Sequence, residues 1–166
     1  IARSKKHELK DAIVEALNQL EGSFSLAILT ADTLYAARDA HGFRPLCLGE
    51  LKGMRVIASE TSALDLVGAA YMGEVNPGEL LTITKNQWTR EPFTVPRPES
   101  SCIFELIYFA RPDSTIFGES VHQVRQRLGR QLAREHPADA DVVIAIPDSG
   151  NSAALGYSLE SGIPLE

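Results

Sequence analysis

Between residues 7 and 20 apolar side chains recur at helical spacing, as Leu9, Ile13, Leu17 and Leu20, with charged and polar residues between them. That spacing predicts an amphipathic helix, and Glu21-Gly22 marks its stop. The period then becomes strand-like. SFSLAILT (23–30) and TLYAARD (33–39) read as strands around a short Ala31-Asp32 turn. Asp39, Gly42 and Pro45 mark a longer turn before PLCLGEL (45–51), and Lys52-Gly53 leads tightly into MRVIASE (54–60). TSALDLVG (61–68) predicts a short helix with Thr61 or Ser62 near its start. The Pro-Gly pair of VNPGE marks a turn. LLTITKN (80–86) and QWTREPF (87–93) then complete a meander of about six strands. Residues 1–93 therefore read as one helix followed by an antiparallel sheet.

TVPRPESS (94–101) is a linker by its two prolines, which remove donors and favour extended chain. Beyond it the pattern turns α/β. CIFELIYF (102–109) is an apolar run whose periodicity does not choose between helix and strand. ARPDSTIFGES (110–120) reads as a loop. Residues 120–135 predict an amphipathic helix on Val121, Val124, Leu128 and Leu132, with Ser120 as N-cap. DVVIAI (141–146) reads as a buried strand of the parallel type. PDSGNS (147–152) follows as a loop, and AALGYSLES opens the next helix. The sequence shows no internal repeat and no low-complexity segment.

Composition narrows the class. Of the 166 residues, 44% are hydrophobic and 23% charged, which is ordinary for a globular chain. Lys and Arg number 16 against 22 Asp and Glu, for a net charge of -6. That balance argues against a nucleic-acid partner, which needs a basic surface to release counterions. No apolar run approaches the ~20 residues that span a bilayer, so no membrane partner is expected. The start, IARSKKHELK, has no apolar region after its basic residues, so no signal peptide is expected. Cys47 and Cys102 are too few for a secreted disulfide scaffold, and a cytoplasmic location is the expectation. An Ile start and a stop just after a strand–loop–helix unit give both ends the look of cut ends.

Pro147-Asp148-Ser149-Gly150 carries the most chemistry. It follows a predicted strand and precedes a helix, the edge at which open α/β sheets bind ligands. Backbone N–H groups and the helix dipole there favour phosphate, and Asp148 with the Ser149 hydroxyl could reach an accompanying Mg²⁺. The competing reading is that Ser149 or Asn151 caps the helix and Gly150 relaxes the turn; local pattern alone favours it. Cys102 is a candidate nucleophile or metal ligand against a plain buried side chain, with no second Cys nearby to form a local motif. Cys47, inside a strand, reads as structural. Arg44 and Arg111, each followed by Pro in a loop, would bind an anion or tie down loop carbonyls, the latter being the better reading. His41, His122 and His136 have no metal or triad spacing, and His122 reads as a rim residue. Arg125, Arg127, Arg130 and Arg134 read as an exposed helix face.

These pieces together resemble a known family. ARSKKHELKDAIVEALNQLEGSFSLAILT, RDAHGFRPLCLGEL, VIASETSALDLVGA and GEVNPGELLTI are similar to the second half of a class II glutamine amidotransferase domain. CIFELIYFARPDS, SVHQVRQRLGRQLARE and DVVIAIPDSGNSAALGY are narrower, and resemble the glutamine phosphoribosylpyrophosphate amidotransferases of purine synthesis. The resemblance runs in order over essentially the whole chain. It implies an α+β part followed by an α/β part. The first is the second half of an N-terminal nucleophile (Ntn) hydrolase αββα sandwich over 1–93. After the linker 94–101 comes the start of a type I phosphoribosyltransferase fold over 102–166.

The activity implied is that of the family's first committed step. Phosphoribosyl pyrophosphate, glutamine and water become phosphoribosylamine, pyrophosphate and glutamate. Asp148, Ser149 and Gly150 match the family's first pyrophosphate-contacting loop, with Ser149 at the position associated with Mg²⁺, which tips the reading of this loop toward function. Cys102 matches a position that holds a [4Fe–4S] cluster in some members. A homo-oligomer is expected. A glucosamine-forming relative and a non-catalytic interaction module are the alternatives. The N-terminal Cys nucleophile, the residues that hold glutamine and the acidic-pair phosphoribosyl motif have no counterpart between residues 1 and 166. The 166-residue polypeptide should therefore release no glutamate from glutamine; a coupled glutamate assay that found turnover would refute this.

Overall fold

The computed structural model describes residues 1–166 and divides them into two compact units. The first comprises residues 1–59 and 68–101, the second residues 60–67 and 102–166.

In the first unit, helix α1 (Leu9–Leu17) precedes strands β1 (Ser25–Leu29), β2 (Thr33–Arg38), β3 (Cys47–Leu51) and β4 (Met54–Ala58), followed by β5 (Ala70–Glu74), β6 (Glu79–Thr84) and β7 (Trp88–Pro92). All pairings are antiparallel, but they form two sheets, of order β1-β2-β6-β7 and β4-β3-β5, where the periodicity predicts one. The strand absent from the sequence reading is β5. Its short segment lacks alternation, holds Gly73 at φ 124°, and meets β3 across a register shift at Leu48/Gly49. Pairing with β3, rather than local preference, makes it a strand. α1 ends at Leu17, so Leu20 lies outside it; Ile13 and Leu17 are buried, while Leu9 and Leu20 are exposed.

Two clusters fill this unit. Ala36, Leu46, Leu48, Val75, Leu81 and Ile83 form one. Ile13 and Leu17 of α1 meet Tyr35, Ala37 and Leu80 in the other. Between the sheets' strand ends lies a buried guanidinium. Arg38, 1% exposed, donates from Nε to the Arg44 carbonyl at 2.8 Å, from one terminal nitrogen to Glu74 at 2.9 Å and the Val75 carbonyl at 2.8 Å, and from the other to the Gly42 carbonyl at 2.8 Å. Arg38 thus ties down loop carbonyls, and the Arg44 carbonyl is one of its acceptors. Asp39 beside it accepts the N–H groups of Phe24, His41 and Phe43.

The second unit holds α2 (Thr61–Val67), a π-helical segment (Glu105–Phe109), a hairpin of β8 (Thr115–Ile116) and β9 (Glu119–Ser120), and helices α3 (Val121–Glu135) and α4 (Gly150–Ser161). Ser120 caps α3 by accepting from the Gln123 N–H, as the sequence predicts. The buried stripe of α3 differs from the predicted one. It is Val121, Arg125, Gly129 and Ala133, at i, i+4, i+8 and i+12, whereas Leu128 and Leu132 are half exposed. Val121 packs with Ala110 and Ile116, and Arg125 reaches the π-helical segment, while at Gly129 α4 packs so closely that only glycine fits. A Cβ on Gly129 would stand 1.9 Å from the Ala153 carbonyl oxygen, and one on Gly156 would stand 2.1 Å from that of Gln126.

DVVIAI is not a buried strand within this chain. Its one pairing is a parallel bridge from Val143 to Leu165, and Ile144 and Ile146 are 72% and 84% exposed. A parallel strand needs neighbours on both edges and helices on both faces, and here the backbone of Leu165 is its only neighbour.

Gly129→Ala and Gly156→Ala should each cost about 1–3 kcal/mol or more, since the added methyl meets backbone rather than a movable side chain. Urea denaturation checks this, with Gly150→Ala as the control, because a Cβ there meets nothing within 4 Å.

Candidate functional site

The 147–150 loop leads into α4 through a non-cap. Ser149 has helical angles, φ -63° and ψ -29°, and its side chain makes no capping bond. Instead the Gly150 N–H donates to the Ile146 carbonyl and the Asn151 N–H to the Asp148 carbonyl, each at 3.2 Å. The Pro147–Asp148 peptide is cis. Gly150 lies outside the positive-φ glycines, so its turn needs no glycine. The helix-opener account of these residues therefore fails on all three: Ser149 and Asn151 do not cap with their side chains, and Gly150 relieves no strain. Two of the amides expected to face a phosphate are already used within the turn. The side chains of Asp148, which is exposed, and Ser149, which is half-buried, are left without partners inside the chain.

α3 holds the loop's helix from the side. His122, in the first turn of α3, has its Nδ1 2.9 Å from the Ser152 hydroxyl, and Ser152 is 6% exposed in the first turn of α4. His122 is thus an interhelical partner and not a free rim residue. At the other end, Arg134 forms a forked pair with Glu160 at 2.8 and 3.1 Å. That hydrogen bond holds the Glu160 carboxyl below its ordinary range and raises Arg134.

Arg125 is the second buried guanidinium. Sequence places it on an exposed face, yet it is 2% exposed, donating at 2.8 Å to the carbonyls of Leu106 and Ala110 at the end of the π-helical segment. Burial pulls its pKa below the usual arginine value. Its spacing from Val121, Gly129 and Ala133 is the signal that could have found it. Arg127, by contrast, is exposed and pairs with Glu119 at 2.6 Å.

ASET and ARPDS meet as a clasp. Glu60 accepts the Arg111 N–H at 2.9 Å and the Ser114 hydroxyl at 2.8 Å, and the Ser62 hydroxyl lies 2.9 Å from that of Ser114. Thr61 accepts the Thr115 N–H at 2.8 Å. The Arg111 side chain turns outward to Asp113, whose carboxyl the arginine's hydrogen bond holds below its ordinary range. Glu60 and Ser114 were not singled out by local pattern.

Cys102 is half-buried and free, and Cys47 is fully buried with Sγ 3.9 Å from the Ser59 carbonyl. No three His, Cys, Asp or Glu residues are grouped to hold a metal. A [4Fe–4S] cluster takes four thiolates, so the residues of this chain do not by themselves make a cluster site. Mg²⁺ is a different case, because it binds one or two protein oxygens and keeps waters and phosphate oxygens. Asp148 and Ser149 fit that pattern. In the first unit, a cavity of about 650 Å³ is lined by Phe24, Asp39, His41, Phe43 and Arg97 among others. No helix is long and apolar enough to cross a membrane.

Comparison with known proteins bears on both units. The family model of the glutamine amidotransferase domain matches residues 4–66. The amidophosphoribosyltransferase of Mycobacterium tuberculosis is 49% identical over 156 residues, covering 94% of this chain and 29% of that protein. The Bacillus subtilis amidophosphoribosyltransferase is 45% identical over 166 residues, covering all of this chain and 35% of that protein. The structure of the Bacillus subtilis glutamine phosphoribosylpyrophosphate amidotransferase complexed with ADP and GMP superposes with a TM-score of 0.95 at 45% identity, over 99% of this chain and 36% of that one. The two antiparallel sheets with α1 are thus part of an Ntn hydrolase fold, and the match to a glutamine amidotransferase domain falls within residues 4–66. Over the stretch it spans, the chain is similar in sequence and fold to the amidophosphoribosyltransferases. It spans about a third of the length of the relatives it matches.

Arg125→Lys should destabilise the second unit by about 1–3 kcal/mol, because one ammonium cannot reach both carbonyls in the fork geometry of a guanidinium. Thermal melting of the variant checks it. Glu160 gives a pH expectation. Its folded carboxyl titrates below the unfolded one, so the pair's contribution is present above the unfolded carboxylate pKa and fades as pH falls through the depressed value. Both partners meet solvent, so the contribution is small and screened by salt. Carboxyl NMR titration of Glu160 should show the low pKa, and Arg134→Gln should return it to the ordinary range.

Proposed function

We propose that this chain is a part of an amidophosphoribosyltransferase. That enzyme makes phosphoribosylamine, glutamate and pyrophosphate from phosphoribosyl pyrophosphate, glutamine and water. In this reading 1–93 is glutamine amidotransferase portion, 94–101 a linker, and 102–166 the beginning of the phosphoribosyltransferase portion. The observation that carries it is 45% identity with a TM-score of 0.95 across both units, to a protein so named. The substrates are glutamine and phosphoribosyl pyrophosphate, the location is the cytoplasm, and the assembly is a homo-oligomer. Cys102 would be one ligand of a [4Fe–4S] cluster, the other thiolates lying outside this chain; no step depends on it.

The residues here act on the pyrophosphate end of the substrate. α4 presents the positive end of its dipole to the loop, which favours an anion. The Ser149 hydroxyl, free of any cap, can donate to a phosphate oxygen or offer its lone pair to a cation. Asp148 sets a condition. A carboxylate beside a phosphate is repulsive, so this loop suits pyrophosphate only when a cation lies between them. Mg²⁺, when bound, neutralises charge on the departing pyrophosphate.

The loop should therefore bind magnesium pyrophosphate and not pyrophosphate alone. Titration of ¹⁵N-labelled protein should shift the amides of residues 148–150 with Mg²⁺ present, and do so about tenfold more weakly with EDTA. Asp148→Asn should narrow that gap by weakening the magnesium complex and relieving the repulsion, while Ser149→Ala should weaken the magnesium complex about three- to tenfold. Undisturbed loop amides at millimolar magnesium pyrophosphate would overturn the reading.

A further inference from the structure

The α3–α4 contact includes one polar interaction that adjoins the 147–150 loop. Most of the crossing is close backbone packing at Gly129/Ala153 and Gly156/Gln126. That packing fixes the helices at Ala153, which closes the first turn of α4, and at Gly156 in its second turn. On the loop side of Ala153 the contact between the helices becomes polar. The hydroxyl of Ser152, 94% buried by its 6% exposure, and the His122 Nδ1 meet at 2.9 Å there. His122 is itself anchored, because its backbone N–H donates to the Pro112 carbonyl at 3.1 Å, and the adjoining Val121 N–H donates to the Ser114 carbonyl at 3.0 Å. The clasp of Glu60 on Arg111 and Ser114 holds those acceptors in turn.

From this chain of contacts we infer that His122 is a positioning residue for the 147–150 loop. Through Ser152 it sets where the first turn of α4 stands, and so where Asp148 and the Ser149 hydroxyl face a bound pyrophosphate. The inference rests on the proposed function of that loop. His122 touches no phosphate in this account. Its ring holds the helix at Ser152, three residues beyond Ser149 and four beyond Asp148.

The test uses the 166-residue chain and magnesium pyrophosphate as the probe, with loop amides read by NMR and melting followed in parallel. Wild type must respond first. If its loop amides do not shift, the reading of the loop fails, and this inference with it. If they do, Ser152→Ala should weaken binding about three- to tenfold with little change in melting, since alanine suits a helix. His122→Ala should do the same, and the double variant should be no worse than either single one, as for two ends of one hydrogen bond. His122→Asn should restore most of the affinity, because its amide group can occupy the position of Nδ1. Wild-type affinity in Ser152→Ala, additive losses in the double variant, or loss of affinity only in step with lost folding would each overturn the inference while leaving the loop's function standing. Ser152→Ala keeps the test open if His122→Ala does not fold.

Discussion

The second unit depends on how near α3 and α4 come to each other. Ordinary helices keep 8–10 Å between axes because side chains fill the space. Here two glycines remove that filling, and backbone faces backbone at Gly129/Ala153 and Gly156/Gln126. The consequence runs through the whole unit. Leu128 and Leu132 are half exposed, and the start of α4 is carried to a defined place beside His122, while Arg125 reaches the π-helical segment. In the proposed function, a loop that presents a hydroxyl and, through a cation, a carboxylate to a phosphate gains from being mounted on a helix with so little freedom to slide.

Each unit also has a buried guanidinium that does the work of several short-range turns. Arg38 gathers the carbonyls of Gly42, Arg44 and Val75, and Arg125 those of Leu106 and Ala110. Gly42, Arg44 and Val75 lie outside the strands and Ala110 just past the π-helical segment, with Leu106 within it. Leaving a buried carbonyl unmade costs about 1–3 kcal/mol, so each arginine spares its unit several such penalties. Arg38 offsets its own burial further through Glu74; Arg125 lies within reach of Glu60's charge, which pushes its pKa up against the larger effect of burial.

The motifs that make the family visible divide by role in the structure. ASET and ARPDS are recognisable because they interlock: Glu60, Thr61 and Ser62 bind the backbone and hydroxyls of Arg111, Ser114 and Thr115. Their specificity as sequence signals is that of a clasp. PDSG shows the reverse arrangement. Its Asp148 and Ser149 side chains make no hydrogen bond inside the chain, and they are the groups that the proposed function assigns to a ligand.

Periodicity and turn chemistry were enough to find α1, α2, α3 and six of the seven strands of the first unit, since each has local signals of its own: amphipathic spacing, a Ser120 cap, and Gly and Pro at the turns. The loop at 147–150 was legible for the same reason, as residues of special chemistry at a helix start. Other features depended on partners distant in sequence. β5 exists because β3 offers it an edge, and the strands split into two sheets because that lets both faces of β2 and β3 find apolar cover. The 141–146 run, apolar enough to be buried, stays exposed because one bridge to Leu165 is all the pairing it has. Arg125 and His122 read as surface residues until α4 and the π-helical segment are placed against them. Local preference acts through neighbours in the chain, whereas burial and side-chain pairing are decided by neighbours in space.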